Sequence, residues 1–161
     1  MELTKTSRIL SVFHLFRYCS EVSFKEITNL LPVSEKTVYR DITLLRQAGV
    51  LHIRFSQKRG AFVLVDTDFH PPQFPENKTR KLYLEKIIRL CTLMVGLDSD
   101  DPIVWYRERY PQLSARTRQR DFAELFKIGY RIRYEPTDPW GESGHYDYEI
   151  PDTYGLETFH T

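Results

Sequence analysis

Residues 33–50 decide the fold: Val33-Ser34-Glu35-Lys36-Thr37-Val38-Tyr39-Arg40-Asp41-Ile42-Thr43-Leu44-Leu45-Arg46-Gln47-Ala48-Gly49-Val50. Ser34 is a helix N-cap, and Glu35 suits the positive first turn behind it. Val38, Ile42 and Leu45 fall at i, i+4 and i+7, the apolar stripe of one helix face. Gly49 ends the helix where a left-handed residue is needed. The helix before this one is stopped at Pro32. Only Pro32-Val33 separates the two, so they cross steeply, as in a helix-turn-helix.

Upstream, Ser23 and Glu26 form a capping box. Phe24, Ile27, Leu30 and Leu31 supply the buried side of that second helix. Ile9, Phe13 and Phe16, with Leu10, mark a first helix. Downstream the period changes. Leu51, Ile53 and Phe55 alternate with His52 and Arg54, as in a strand. Residues 56–60 read as a turn with a basic tip, and Phe62 and Leu64 as the returning strand. Three helices and a hairpin describe a winged helix over residues 1–68.

The pattern recurs. Ser34, Thr37, Arg40, Asp41, Leu45 and Gly49 correspond to Ser114, Thr117, Arg120, Asp121, Leu125 and Gly129, each 80 residues on. Residues 82–95 read as an amphipathic helix. Asp101-Pro102 starts another, with a cap and proline at the first helical position. Residues 130–134 and 146–150 pair as strands across a long turn. The expected fold is α+β, mainly α, with two tandem winged helix-turn-helix domains. They span residues 1–68 and 79–161 and are joined by a Pro-rich linker at 69–78. Two departures mark the second copy. Core Val38 corresponds to Arg118, whose head must snorkel to water or leave the core face. The basic first hairpin corresponds to an acidic one carrying Asp138, Glu142, Asp147 and Glu149.

The 33–50 string, above all Ser34-x-x-Thr37-Val38-Tyr39-Arg40-Asp41-Ile42, resembles the DeoR-type winged helix. It is similar to the N-terminal module of bacterial WYL-domain transcription regulators, although no WYL domain is found. The resemblance covers residues 4–66. It implies a transcription regulator, a repressor in the first instance, whose third helix enters the major groove of double-stranded DNA while the hairpin meets the backbone. The candidate DNA contacts are Ser34, Lys36, Thr37, Tyr39, Arg40 and Thr43 on that helix and Lys58 and Arg59 on the hairpin. In the second copy they are Arg116, Thr117, Gln119 and Arg120. Asp41 repels phosphate, so it is expected to orient a neighbouring arginine or to pair within the domain.

Net charge is +1, but its distribution is uneven. Residues 1–70 hold ten Lys/Arg and seven Asp/Glu, and residues 78–134 hold thirteen and seven. Residues 135–161 hold none and seven. Basic segments attract phosphate backbones. The acidic hairpin should avoid them and suits packing on a basic surface or a homodimer contact. Cys19 and Cys91 sit in apolar helical stretches and read as packing residues. The histidines are scattered, with no metal-ligand spacing, and no phosphate loop, nucleophile elbow or carboxylate pair occurs. No enzyme activity, metal or cofactor is expected. With no apolar run of about 18 residues and no signal-peptide core, a cytoplasmic, membrane-free protein is expected. The alternative function is a tandem winged-helix adaptor for other proteins, without sequence-specific DNA binding.

Overall fold

The computed structural model describes residues 3–98, 101–136 and 144–151. The fold is α+β and mainly helical. Helices α1 (Lys5–Tyr18), α2 (Phe24–Leu30) and α3 (Glu35–Gln47) precede a hairpin of β2 (His52–Ser56) and β3 (Ala61–Asp66). A short strand, β1 (Glu21–Ser23), lies between α1 and α2. The order then recurs as α4 (Lys78–Gly96), α5 (Pro102–Arg109), α6 (Ala115–Phe126), β4 (Arg131–Pro136) and β5 (Gly144–Glu149). The first 66 residues are compatible with a winged helix.

Local chemistry sets the boundaries. Ser23 accepts the Glu26 amide, and Ser34 and Ser114 accept those of Thr37 and Thr117. Asp101 accepts the Val104 amide at 3.3 Å ahead of Pro102. α3 and α6 end alike. Gly49 N–H donates to the Arg46 carbonyl and Val50 N–H to that of Leu45, and Gly129 and Tyr130 repeat the pair on Phe126 and Leu125. This is the Schellman pattern, and both glycines have positive φ, 77° and 97°.

The first sheet has the order β1-β3-β2, antiparallel throughout, with Ser56 opposite Ala61 closing the hairpin. β1 was not expected from sequence: three residues are too few to display an alternation. It covers the far edge of β3, pairing Glu21 with Val63 and Ser23 with Ala61. β4 and β5 pair from Arg131–Glu149 to Pro136–Gly144. Asp138 and Glu142 lie outside the described residues, and of Asp147 only the backbone is described.

α1 carries more than the expected apolar face. Residues 9–16 are all buried, with Thr6 and Ser7. α3 packs on it from one side and α4 from another. α1 and α4 run in the same direction: Thr6 Oγ1 lies 3.0 Å from the Tyr83 hydroxyl near their starts, and Arg17 donates to the Met94 carbonyl near their ends. Residues from both halves therefore join one continuous apolar core. The polar groups of α1 inside that core are matched, whereas the buried Trp105 indole nitrogen has no hydrogen-bond partner among the described residues. Ser11 donates to the Ser7 carbonyl, His14 Nδ1 lies 2.6 Å from the Tyr130 hydroxyl, and Arg17 donates to that hydroxyl and to Asp98. Burial pushes the Tyr130 phenol above its ordinary range, against the pull of Arg17. Cys19 and Cys91 are free thiols, half-buried and buried. Arg118 is half-buried, and its Nε is enclosed with no hydrogen-bond partner among the described residues. The snorkelling expected of it is therefore incomplete.

Residues 67–75 are irregular, as prolines require, yet docked. His70 N–H donates to the Gly49 carbonyl at 2.8 Å and Gln73 N–H to that of Gln47 at 2.9 Å. A Cβ at Gly49 would lie 2.1 Å from the His70 carbonyl oxygen, whereas one at Gly60, also at positive φ, meets nothing within 4 Å. Gly60→Ala should therefore cost only the left-handed conformation, about 1–2 kcal/mol. Gly49→Ala should cost more, because the joining segment must also move. Urea midpoints of the two variants check this, and equal losses would mean that the segment yields freely.

Candidate nucleic-acid interface

The third helix separates its residues by chemistry. Val38, Ile42 and Leu45 are buried, and Lys36, Tyr39, Arg40 and Thr43 are exposed. Lys36 with Arg40, and Tyr39 with Thr43, are i, i+4 pairs, so they form two adjacent rows on one face. Ser34 and Thr37 serve the helix start: Ser34 Oγ accepts the Thr37 amide and lies 3.1 Å from the Thr37 hydroxyl. That start carries the positive end of the helix dipole, which favours an anion beside it.

Asp41 fixes the helix from behind. Arg8 of α1 donates to it twice, Nε to Oδ2 at 2.6 Å and Nη2 to Oδ1 at 3.0 Å. Two parallel N–H donors on one carboxylate are the strong, bidentate form of such a pair. The hydrogen bond to Asp41 is the main reason that the Arg8 guanidinium holds its proton above its ordinary range. Of the two roles expected of Asp41, this is pairing within the domain; its partner is Arg8 and not a neighbouring arginine. Arg40, its neighbour, faces outward and has no ion-pair or hydrogen-bond partner among the described residues. The helix is thus anchored by one residue and presents a cation at the next.

Tyr39 is held as well as exposed. Its ring lies 4.8 Å from that of Phe24 and 5.8 Å from that of Phe62, and Phe55 completes the group. The aromatic cluster braces the third helix against the hairpin. On the hairpin Lys58 is exposed and unpaired among the described residues. Arg59 pairs with Glu21 at 3.3 Å, both side chains well exposed. Such a pair is worth little in water, so Arg59 exchanges readily to an external anion. Arg54, exposed on β2, adds a cation that was not among the sequence candidates. Its place between Ile53 and Phe55 in the alternation was the available signal.

The second copy repeats the anchor. Arg89 donates to Asp121 at 2.5 and 3.0 Å, and the Tyr106 hydroxyl adds a third bond. Ser114 caps through the Thr117 amide, and Arg116, Gln119 and Arg120 are exposed. Glu149 of the acidic hairpin is exposed. Elsewhere the fold brings together two histidines that look unrelated in sequence: His52 and His70 stack with ring centroids 3.5 Å apart, beside Asp66.

Comparison with protein-family models, curated proteins and solved structures finds no match. No helix among the described residues is long and apolar enough to cross a membrane.

Asp41 and Arg40 should respond oppositely to truncation. Asp41→Ala strands the Arg8 guanidinium and should cost about 3 kcal/mol, the lower end for a buried pair, because Arg8 keeps some solvent contact. Arg40→Ala should change stability by no more than about 0.5 kcal/mol. Urea unfolding of both variants gives the comparison. A large loss in Arg40→Ala would mean that Arg40 is structural.

Proposed function

We propose that the protein is a sequence-specific regulator that binds double-stranded DNA, with α3 in the major groove and the β2–β3 hairpin on the neighbouring backbone. The observation that carries the reading is the Arg40-Asp41 step. A buried carboxylate clamps the helix to α1 while the adjacent arginine stands free at the surface. A bidentate donor on a braced helix is what a guanine edge or a phosphate requires. Lys36 and Thr43 flank it, Tyr39 packs beside it, and Lys58 and Arg59 extend the basic surface along the hairpin.

On this reading the chain holds two winged helices, and α6 presents Arg116, Gln119 and Arg120 to a second stretch of the same duplex. The reciprocity of the inter-half contacts supports this. With Arg8 matched to Arg89 and Asp41 to Asp121, Arg17 corresponds to Asp98, and those two pair directly. Tyr130 corresponds to Val50, and His14 to Val95. Tyr130 bonds His14, while Val50 and Val95 line one apolar cleft. Self-matching contacts of this kind are what a two-fold relation between copies produces. One chain then does what a homodimer does at a two-part operator, and residues 135–161 need not provide the dimer contact.

Fluorescence anisotropy with a randomised duplex, followed by selection of the bound sequences, tests the proposal. Affinity should fall steeply with salt. Arg40→Ala should lose about 1–3 kcal/mol if it reads a base, or less, with a shallower salt slope, if it meets only phosphate. Arg120→Ala should weaken the same complex, and sedimentation should give one chain per duplex. Absence of salt-sensitive binding would favour the adaptor reading instead. Loss in Arg40→Ala without loss in Arg120→Ala would confine DNA contact to the first unit.

A further inference from the structure

We propose that His52, Asp66 and His70 form a binding site for one divalent transition-metal ion of borderline softness, Zn²⁺ foremost. One donor atom from each residue lies within 4.8 Å of the other two. The three come from separate places. His52 opens β2, Asp66 closes β3 opposite it in the ladder, and His70 lies in the docked joining segment. A register irregularity follows the His52–Asp66 pair and sets it apart from the rest of the hairpin.

The backbone holds the donors together. The Gly49 carbonyl accepts the His70 amide at 2.8 Å and lies 3.3 Å from His52 Nε2, so one oxygen positions both histidines. Asp66 Oδ1 is 3.2 Å from His70 Nε2 and accepts the Asp68 amide at 3.1 Å. The imidazoles stack with centroids 3.5 Å apart and planes tilted by 40°. A metal ion would draw on lone pairs from all three groups.

The donor set selects the ion. Two imidazole nitrogens and one carboxylate oxygen suit Zn²⁺, Co²⁺, Ni²⁺ or Cu²⁺, and not Mg²⁺ or Ca²⁺, which take oxygen ligands. Donors about 2.0–2.2 Å from a tetrahedral Zn²⁺ stand about 3.4 Å apart; Asp66 Oδ1 and His70 Nε2 are already 3.2 Å apart, and all three donors lie within 4.8 Å of one another. His70 is exposed and the other two are half-buried, so their side chains have room to turn toward a shared ion. Three protein ligands leave a position for water, supplied from the cleft along Gln47, Pro71 and Gln73. The bound ion would staple the two strands of the hairpin base to the segment leading to α4.

The test uses the full chain without an affinity tag, stripped by chelator and titrated with Co²⁺ and Zn²⁺. One equivalent of Co²⁺ should give visible ligand-field absorption that Zn²⁺ bleaches, and Zn²⁺ should raise Tm. His70→Ala, at an exposed position, and His52→Ala should each weaken binding by at least the roughly 10–100-fold that loss of an outer-shell partner costs. Circular dichroism verifies that both variants are folded. If His52→Ala unfolds, His70→Ala decides alone. No stoichiometric binding at micromolar metal, or binding unchanged in His70→Ala, overturns the site. No DNA enters the assay, so its outcome is independent of the DNA-binding reading.

Discussion

The burial of α1 on two sides constrains everything else in this fold. A surface helix hides one stripe and wets the other. α1 hides residues 9–16, because α3 packs on it, with Phe62 of the hairpin against Phe16, and so do α4, α6 and Tyr130. A helix in that position admits polar side chains only where each finds a partner. Ser11 turns back to its own helix, His14 reaches Tyr130, and Arg17 spans Tyr130, Met94 and Asp98. Arg8, at the edge, carries the ionic clamp to Asp41. One helix thus sets the position of α3 and the pairing of the halves together.

The two copies of the Arg-Asp step show how the anchor is built and varied. Asp41 has the Arg8 fork, while Asp121 has the Arg89 fork and the Tyr106 hydroxyl. Burial first, and then the bond to Asp121, push the Tyr106 phenol far above its ordinary range. It therefore remains a donor, and the carboxylate remains the acceptor. In both copies the preceding arginine is left outside. A donor on a clamped helix loses little freedom on meeting a ligand, which is the advantage of a preorganised site.

Features set by neighbours in sequence were legible before any coordinates. Ser23, Ser34, Ser114 and Asp101 cap where their side chains dictate, and Gly49 and Gly129 end helices in the left-handed region. The exposed row Lys36, Tyr39, Arg40 and Thr43 follows from the position of the Val38 stripe. Features set by distant partners were not legible. His14 and Tyr130 are 116 residues apart and meet only because α4 lies beside α1. His52 and His70 converge because a strand pair and a docked segment close on Gly49. Proline composition marked residues 69–78 as a stiff connection, and that composition carries no sign of the hydrogen bonds to Gln47 and Gly49.

On the proposed reading, two copies in one chain would have a consequence that a homodimer lacks: they are free to diverge. Lys36, Tyr39, Arg40 and Thr43 correspond to Arg116, Gln119, Arg120 and Ala123. The arginine beside the buried aspartate is common to both, and the tyrosine is replaced by glutamine. Glutamine pairs two-pronged with adenine, whereas tyrosine has a single hydroxyl and a ring face. On the proposed reading, the two halves of the operator share the contact made by Arg40 and Arg120 and differ one helical step earlier. On that reading the second contact would also be intramolecular. Its effective concentration would be set by the α1–α4 pairing and would not fall as the protein is diluted. A homodimer dissociates at low abundance and loses its second half-site; on the proposed reading this chain would keep both. An asymmetric site bound by a single chain is then the arrangement that the shared core would favour.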